Sequence, residues 1–182
     1  MQELSLHVLD LMQNAVEAGA SRVEVEVRED PAGDRLTIRV ADNGRGMAPE
    51  QAARVTDAFY TTRRERRVGL GVPLLEEAAA ATGGEVKVTS VPGAGTQVEA
   101  GFGLSHLDRA PLGDMGATLA TALVGRPGLR LCYRHVTDSG EFVFDSDRLR
   151  EQLGEVAPDH PLVVGWLQQQ VRAGLAQIGS KA

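Results

Sequence analysis

The sequence predicts an α/β protein: a two-layer α/β sandwich, in which a mixed sheet carries helices on one face, with a small α+β C-terminal annex. Three observations carry that expectation. A helical period of apolar residues opens the chain, two alternating runs follow it as a hairpin, and two further helices and a second hairpin come after. Hairpins exclude an all-parallel sheet, and one helical layer buries the apolar faces of both element types economically.

The first helix is expected over residues 2–18. Leu4, Val8, Leu11, Met12 and Ala15 recur at steps of three and four, and Gly19 is a natural stop. In SRVEVEVRE, Val23, Val25 and Val27 face one way while Arg22, Glu24, Glu26 and Arg28 face the other, as in a half-buried strand. DPAGD (30–34) turns the chain, and Leu36, Ile38 and Val40 make the second strand. DNGRGM (42–47) is too glycine-rich to continue it. Pro49 suits the first turn of a short helix over roughly 49–57. FYTTRRERRV (59–68) has no period and reads as a mobile loop. Pro73 starts the next helix and Gly83-Gly84 ends it; EVKVTSV, a PGAG turn and TQVEAGF then form a hairpin.

After residue 104 the character changes, which divides the chain into 1–104 and 105–182. LSHLDRAPLGD is a polar connector, and 112–124 reads as a small-residue helix. Residues 129–136 and 141–144 read as a hairpin around DSG, and 146–153 and 160–177 as helices. Asp108, Arg109 and Asp114, around Pro111 and Gly113, form either a partner-recognition loop or a helix start with a capping acid. Val163, Val164, Trp166, Leu167, Val171 and Leu175 of the last helix pack either on the annex or on another subunit. Cys132, in LRLCYRHV, is expected in the core.

Composition narrows the class. Of 182 residues, 42% are hydrophobic and 24% charged, which suits a packed core rather than disorder. The formal charge is −6 with one Trp, two Tyr and four Phe, which argues against a nucleic-acid partner. A single cysteine excludes an intrachain disulfide and a cysteine pair for metal or redox chemistry. The N-terminal MQELSLHVLD lacks a signal pattern, and no apolar run approaches the ~20 residues that span a bilayer. The expectation is a cytoplasmic protein with no membrane partner.

Four pieces of the chain carry chemistry. On the first helix Glu3, His7, Asp10, Asn14 and Glu17 follow at steps of four, three, four and three, so they share one face. Asp10 and Asn14 are one turn apart; such oxygens suit Mg²⁺, and the same row is equally a solvated helix face. In DNGRGM, Asp42 ends a strand beside two glycines, where a carboxylate can accept a hydrogen bond from an exocyclic amine such as adenine's. RVGLGVPLLEEAAAATGG leads a glycine-rich loop into a helix N-terminus, a geometry that suits phosphate. SVPGAGT is a turn with Thr96 just after it.

In this order and spacing the pieces resemble the GHKL superfamily of gyrase, heat-shock chaperone, histidine kinase and MutL-type ATPases. LDLMQNAVEAGAS resembles the N-box, DNGRGM the G1 box, AFYTTR the F box of histidine kinases, GLGVPLLEEAAAATGG the G2 box and SVPGAGTQVEAGF the final hairpin. The resemblance covers residues 1–104 and implies a Bergerat fold that binds ATP with Mg²⁺. It implies that Asn14 holds the metal, that Asp42 receives the adenine amino group, and that Gly44, Gly46 and Met47 line the adenine pocket. It places Gly69, Leu70 and Gly71 in a lid against the phosphates, Thr62 and Arg63 beside the nucleotide, and Thr96 near the adenine.

Three departures stand out. Asp10 replaces the glutamate base that gyrase- and MutL-type members place four residues before the asparagine; it is the catalytic candidate, one methylene shorter. Glu17 stands where many histidine kinases have a lysine. Arg67 replaces the usual first glycine of the G2 loop, and Arg63, Arg64, Arg66 and Arg67 either neutralise the triphosphate or form an exposed charged loop. His7 lies too close to Asn14 to be a separate phosphoacceptor and reads as a residue supporting the site or facing solvent. His106, His135 and His160 are expected in surface or packing roles. With no acceptor hairpin before the N-box, the resemblance implies an ATP-dependent kinase acting on a His or Ser of a separate signalling protein. The alternative is an ATP-operated switch or ATPase that regulates a partner without phosphotransfer.

Overall fold

The computed structural model describes residues 3–54, 71–154 and 160–182. The elements are α1 (Leu4–Glu17), β1 (Arg22–Asp30), β2 (Arg35–Asp42), α2 (Pro49–Ala52), α3 (Gly71–Ala80), β3 (Val86–Val91), β4 (Gly95–Gly103), α4 (Met115–Leu123), β5 (Arg130–Thr137), β6 (Gly140–Asp145), α5 (Ser146–Leu153) and α6 (Pro161–Gln177). Six strands form one sheet in the order β3-β4-β2-β1-β5-β6. β1 and β5 run parallel and every other pair is antiparallel, so the sheet is mixed.

Alternation along the strands decides which face is covered. Val23, Val25 and Val27 of β1 stand beside Leu131, Tyr133 and His135 of β5, and all six are buried. Leu36, Ile38 and Val40 of β2 continue that face, and Leu4, Val8, Leu11, Met12 and Ala15 of α1 join the same core. α3 adds Val72, Leu75 and Ala79; α4 adds Met115, Leu119 and Ala122. The opposite face is polar: Glu26 pairs with Arg39 at 3.7 Å and Arg134 at 3.1 Å, and Arg134 also reaches Glu141 at 2.6 Å. Exposed pairs of this kind are screened by water and add little, so the covered face dominates stability.

Residues 105–182 extend this sheet and its core. β5 lies against β1, α4 packs on α1, and α6 packs on α4. The carbonyls of Pro111 and Leu112 accept the N–H groups of Leu4 (3.0 Å) and Ser5 (2.8 Å), which start α1 and have no acceptor within it. Asp114 caps α4 by accepting from Ala117 N–H at 2.9 Å and is gripped by Arg172 at 2.6 Å, so the connector ends in a helix start with a capping acid. Val163, Leu167 and Val171 of α6 are buried within the chain, which favours packing on the annex; Trp166 is left 42% exposed.

Some elements differ from the expectation. α2 is a single turn, Pro49–Ala52. α3 begins at Gly71, since proline is tolerated in a helix's first turn and Pro73 need not be its first residue. Cys132 is half-buried on the polar face rather than in the core: with Leu131 and Tyr133 inward, the period of two turns it outward beside Glu24. Burial, with Asp145 and Glu24 nearby, pushes its thiol pKa up.

The same alternation carries Glu29 inward after the three valines. It is 3% exposed, and its carboxylate faces His135 Nε2 at 2.8 Å, the Ser180 hydroxyl at 2.6 Å and the Lys181 N–H at 2.9 Å. His135 Nδ1 in turn meets the Tyr133 hydroxyl at 2.7 Å. A neutral ring carrying its proton on Nε2 satisfies every group at once. Burial alone would raise the Glu29 pKa, but the hydrogen bonds from Ser180, Lys181 and His135 outweigh it and hold the carboxyl below its usual value. Burial likewise lowers the His135 pKa, against the opposing pull of Glu29.

Both shifts have the same consequence. A depressed His pKa means that the unfolded chain takes up the proton first as pH falls below about 6.5, and a depressed Glu pKa extends the loss below about pH 4.3. The denaturation midpoint is therefore expected to fall from pH 7.5 to 5.5 and again toward pH 4. His135→Phe leaves Tyr133 and Glu29 without their ring partner, at a cost of about 1–3 kcal/mol. It also flattens the upper limb of that profile in urea melts; a slope equal to the parent's would show that this ring is not its source.

Candidate functional site

On α1 the polar row is narrower than its spacing suggests. Glu3, Asp10, Asn14 and Glu17 are exposed, but His7 is only 6% exposed. The segment leading into α4 closes over the first turns: a Cβ on Gly113 would sit 2.2 Å from Glu3 Oε2. His7 is thus a buried residue of the helix and not a solvent-facing one. Burial lowers its pKa, with Asp10 pulling the other way.

Asp10 and Asn14 face the start of α3. A Cβ on Gly71 would lie 3.0 Å from Asp10 Oδ2 and 3.8 Å from Asn14 Nδ2. A carboxylate, a carboxamide and the positive end of a ten-residue helix therefore meet at one place. Among the described residues, no group of three or more His, Cys, Asp and Glu side chains is placed to hold a metal. Two oxygen-bearing side chains one turn apart do fit Mg²⁺, which takes one or two protein ligands and completes its shell with phosphate and water.

The second cluster is built where β2 ends. Asp42 Oδ1 accepts from Gly44 N–H at 2.7 Å. Asn43 turns back on β1, accepting from the N–H groups of Ser21 (3.0 Å) and Arg22 (2.8 Å) and donating to Ser21 Oγ at 3.0 Å. Arg45 N–H bonds the carbonyl of Ala18 at 2.9 Å, and a Cβ on Gly44 would come within 2.9 Å of the Ala18 side chain. The loop is thereby stitched to the end of the helix that carries Asn14.

Across from it lies the β3–β4 turn. Gly46 has φ +64°, and a Cβ there would fall 2.0 Å from the carbonyl oxygen of Val91. Gly95 has φ +112°, and its Cβ would fall 1.9 Å from the carbonyl oxygen of Asp42. Gly93 N–H donates to Arg45 O at 2.7 Å, and Met47 N–H to Ser90 Oγ at 2.8 Å. Thr96 stands opposite Asp42 in the β2–β4 register, so the two side chains share a face.

The structure thus gathers Asp42, Gly44, Gly46, Met47 and Thr96 in one cluster and Asp10, Asn14 and Gly71 in another, both bordering α1. Thr62, Arg63, Gly69 and Leu70 lie outside the described residues, as do Arg64, Arg66 and Arg67. Two contributors were missed. Asn43 carried a signal, since asparagine before glycine favours side-chain bonds to nearby backbone; Ser90 carried none. A cavity of about 460 Å³ reaches Asp42, but its other walls include Arg22, Glu24, Ala41 and Arg130 on the polar face, and it excludes Asp10, Asn14 and Thr96. Away from both clusters, His160 caps α6 through Nδ1, and His106 is exposed beside Asp108.

The described residues thus form a mixed sheet with helices packed on one face, a carboxylate at the end of β2, and Asp10 and Asn14 facing the start of α3. Residues 2–106 match the family described as histidine kinase-, DNA gyrase B-, and HSP90-like ATPase, and the chain belongs to that family. It carries an ATP-binding, histidine kinase-like ATPase domain. The chain is similar to the non-motile and phage-resistance protein of Caulobacter vibrioides, 32% identical over 111 residues that span 56% of this chain and 13% of that protein. It is also similar to the sensor protein kinase WalK of Staphylococcus aureus, 35% identical over 85 residues, or 44% of this chain and 20% of that one. The N-terminal domain of a DNA repair protein shares the fold, with a TM-score of 0.54 at 14% identity over 79% of this chain and 52% of that one. Among the described residues no helix is long and apolar enough to cross a membrane.

The glycine contacts separate two kinds of substitution. Gly46→Ala drives a methyl into the Val91 backbone and is expected to abolish ATP binding and lower the thermal midpoint strongly. Gly93→Ala meets nothing within 4 Å and costs only its left-handed conformation, about 1–2 kcal/mol. Equal losses in calorimetric melts and ATP titrations would show that close backbone approach is not the constraint.

Proposed function

We propose that this chain binds Mg²⁺-ATP and transfers the γ-phosphoryl group to a His or Ser of a separate signalling protein. The observation that supports this most is the convergence of Asp10 and Asn14 on the start of α3, both carried by the helix whose C-terminal end is bonded to the loop that follows Asp42. In this reading the Asp42 carboxylate accepts the adenine amino group, and the Gly46 backbone turn shapes the pocket around the base. The Asn14 side-chain oxygen holds Mg²⁺, which when bound neutralises phosphate charge. Asp10 orients the incoming hydroxyl or imidazole, or a water, beside the γ-phosphate. Phosphoryl transfer rests mainly on such positioning and charge stabilisation. As the family resemblance implies, Gly69, Leu70 and Gly71 would lie against the phosphates, with Thr62 and Arg63 beside the nucleotide.

A second reading is favoured by one contact. Pro111 and Leu112 bond the first turn of the helix that carries Asp10 and Asn14, a path by which a change at the nucleotide would reach residues 105–182. That supports an ATP-operated switch that regulates a partner without phosphotransfer. We place the protein in the cytoplasm on either reading.

Asp42→Asn replaces an acceptor-only group with an amide that also donates, and is expected to weaken ATP binding at least tenfold by calorimetric titration. Asn14→Ala should chiefly remove the Mg²⁺-dependent part of affinity or turnover. Unchanged ATP affinity in Asp42→Asn would refute the site. With γ-labelled ATP and the proteins encoded beside it, label should appear on a partner. Its absence, together with nucleotide-dependent partner affinity, would select the switch.

A further inference from the structure

Ser90, Thr96 and Asp42 stand in one row across β3, β4 and β2: Ser90 is opposite Thr96, and Thr96 is opposite Asp42. Ser90 Oγ makes three contacts. It accepts from Met47 N–H at 2.8 Å, donates to the Gly95 carbonyl at 3.1 Å and lies 2.8 Å from Thr96 Oγ1. A hydroxyl has one proton and two lone pairs. With that proton on Gly95 O and one lone pair taken by Met47, the remaining contact is satisfied only if Thr96 donates to Ser90. Thr96 then has no proton left to offer elsewhere, and its free lone pairs make it an acceptor toward the Asp42 side.

We infer that Ser90 is a positioning residue that sets the polarity of the base pocket: it holds Thr96 as an acceptor beside the Asp42 carboxylate, so the pair selects a 6-amino purine over a 6-keto purine. This rests on the ATP-binding reading of the site. A 6-amino group offers two protons to the two acceptors, whereas a 6-keto purine offers only its N1–H and sets its oxygen against an acceptor. Without Ser90, the Thr96 hydroxyl turns freely and can donate to the keto oxygen. Ser90 thereby acts on the base through Thr96 and not by touching it.

The test is calorimetric titration of the full chain with ATP and with inosine triphosphate, both with Mg²⁺. The variants are Ser90→Ala, Ser90→Thr, Thr96→Val and the Ser90→Ala/Thr96→Val double. The parent should prefer ATP. Ser90→Ala should lower the ATP-to-inosine-triphosphate affinity ratio about three- to tenfold, the range of one net hydrogen bond. Ser90→Thr, which keeps the hydroxyl, should restore it. The double variant should match Thr96→Val, because Ser90 acts on the base only through the Thr96 hydroxyl and has nothing to orient once it is gone. A folded Ser90→Ala protein with the parent's ratio overturns the inference while leaving ATP binding intact. If Ser90→Ala does not fold, an unchanged ratio in Thr96→Val overturns it equally. A parent that binds neither nucleotide refutes the underlying reading instead.

Discussion

Two backbones touch where the loop at residues 42–47 meets the turn at residues 91–95. Neither Gly46 nor Gly95 has room for a Cβ: the carbonyls of Val91 and Asp42 occupy the space at 2.0 and 1.9 Å. Such contact is available only to glycine, and it joins the end of β2 to the β3–β4 turn as one body. The bonds from Gly93 to Arg45 and from Met47 to Ser90 lock the same seam. Asp42 can face Thr96 at fixed separation because nothing intervenes between their strands. The bonds of Arg45 to Ala18 and of Asn43 to Ser21 and Arg22 then tie this body to the end of α1, and hence to Asn14.

The residues around the candidate site are held by contacts from beyond residues 1–104. β1, whose end is clasped by Asn43, is flanked by β5 as well as β2. α1, which carries Asp10 and Asn14, has its first turn capped by carbonyls from residues 111 and 112 and is packed by α4. A buried polar group in such a core is costly unless satisfied. The network from Tyr133 through His135 and Glu29 to Ser180 and Lys181 is satisfied throughout, so it fastens the segment after α6 to β1 instead of weakening the core. The candidate site and the C-terminal segment are in this way joined through one sheet and one core.

Legibility followed the range of the interactions. α1, β1, β2, β3 and β4 were readable because their signals are local: a period near four on Leu4, Val8 and Leu11, and a period of two on the valines. Asp10, Asn14, Asp42 and the glycines around them were legible as residues of a recognisable chemical type at a recognisable spacing. Burial of His7 was not, because a polar residue in a polar row gives no local sign of what the fold packs on that turn of the helix. The outward turn of Cys132 was legible in the alternation of Leu129, Leu131 and Tyr133 with Arg130 and Arg134, and was missed because apolar character was weighed above register.

By itself the sequence determined which segments are helix and strand, which face of each is apolar, and which residues can accept, donate or bind oxygen-seeking cations. These follow from chain geometry over a few residues and from side-chain chemistry. Only the tertiary structure decided that β5 lies parallel to β1, that Gly71 stops against Asp10, and that Ser90 bonds the backbone of Met47. Each of these joins groups separated by dozens of residues. Their meeting depends on how whole faces pack and how strands register, which no local period encodes.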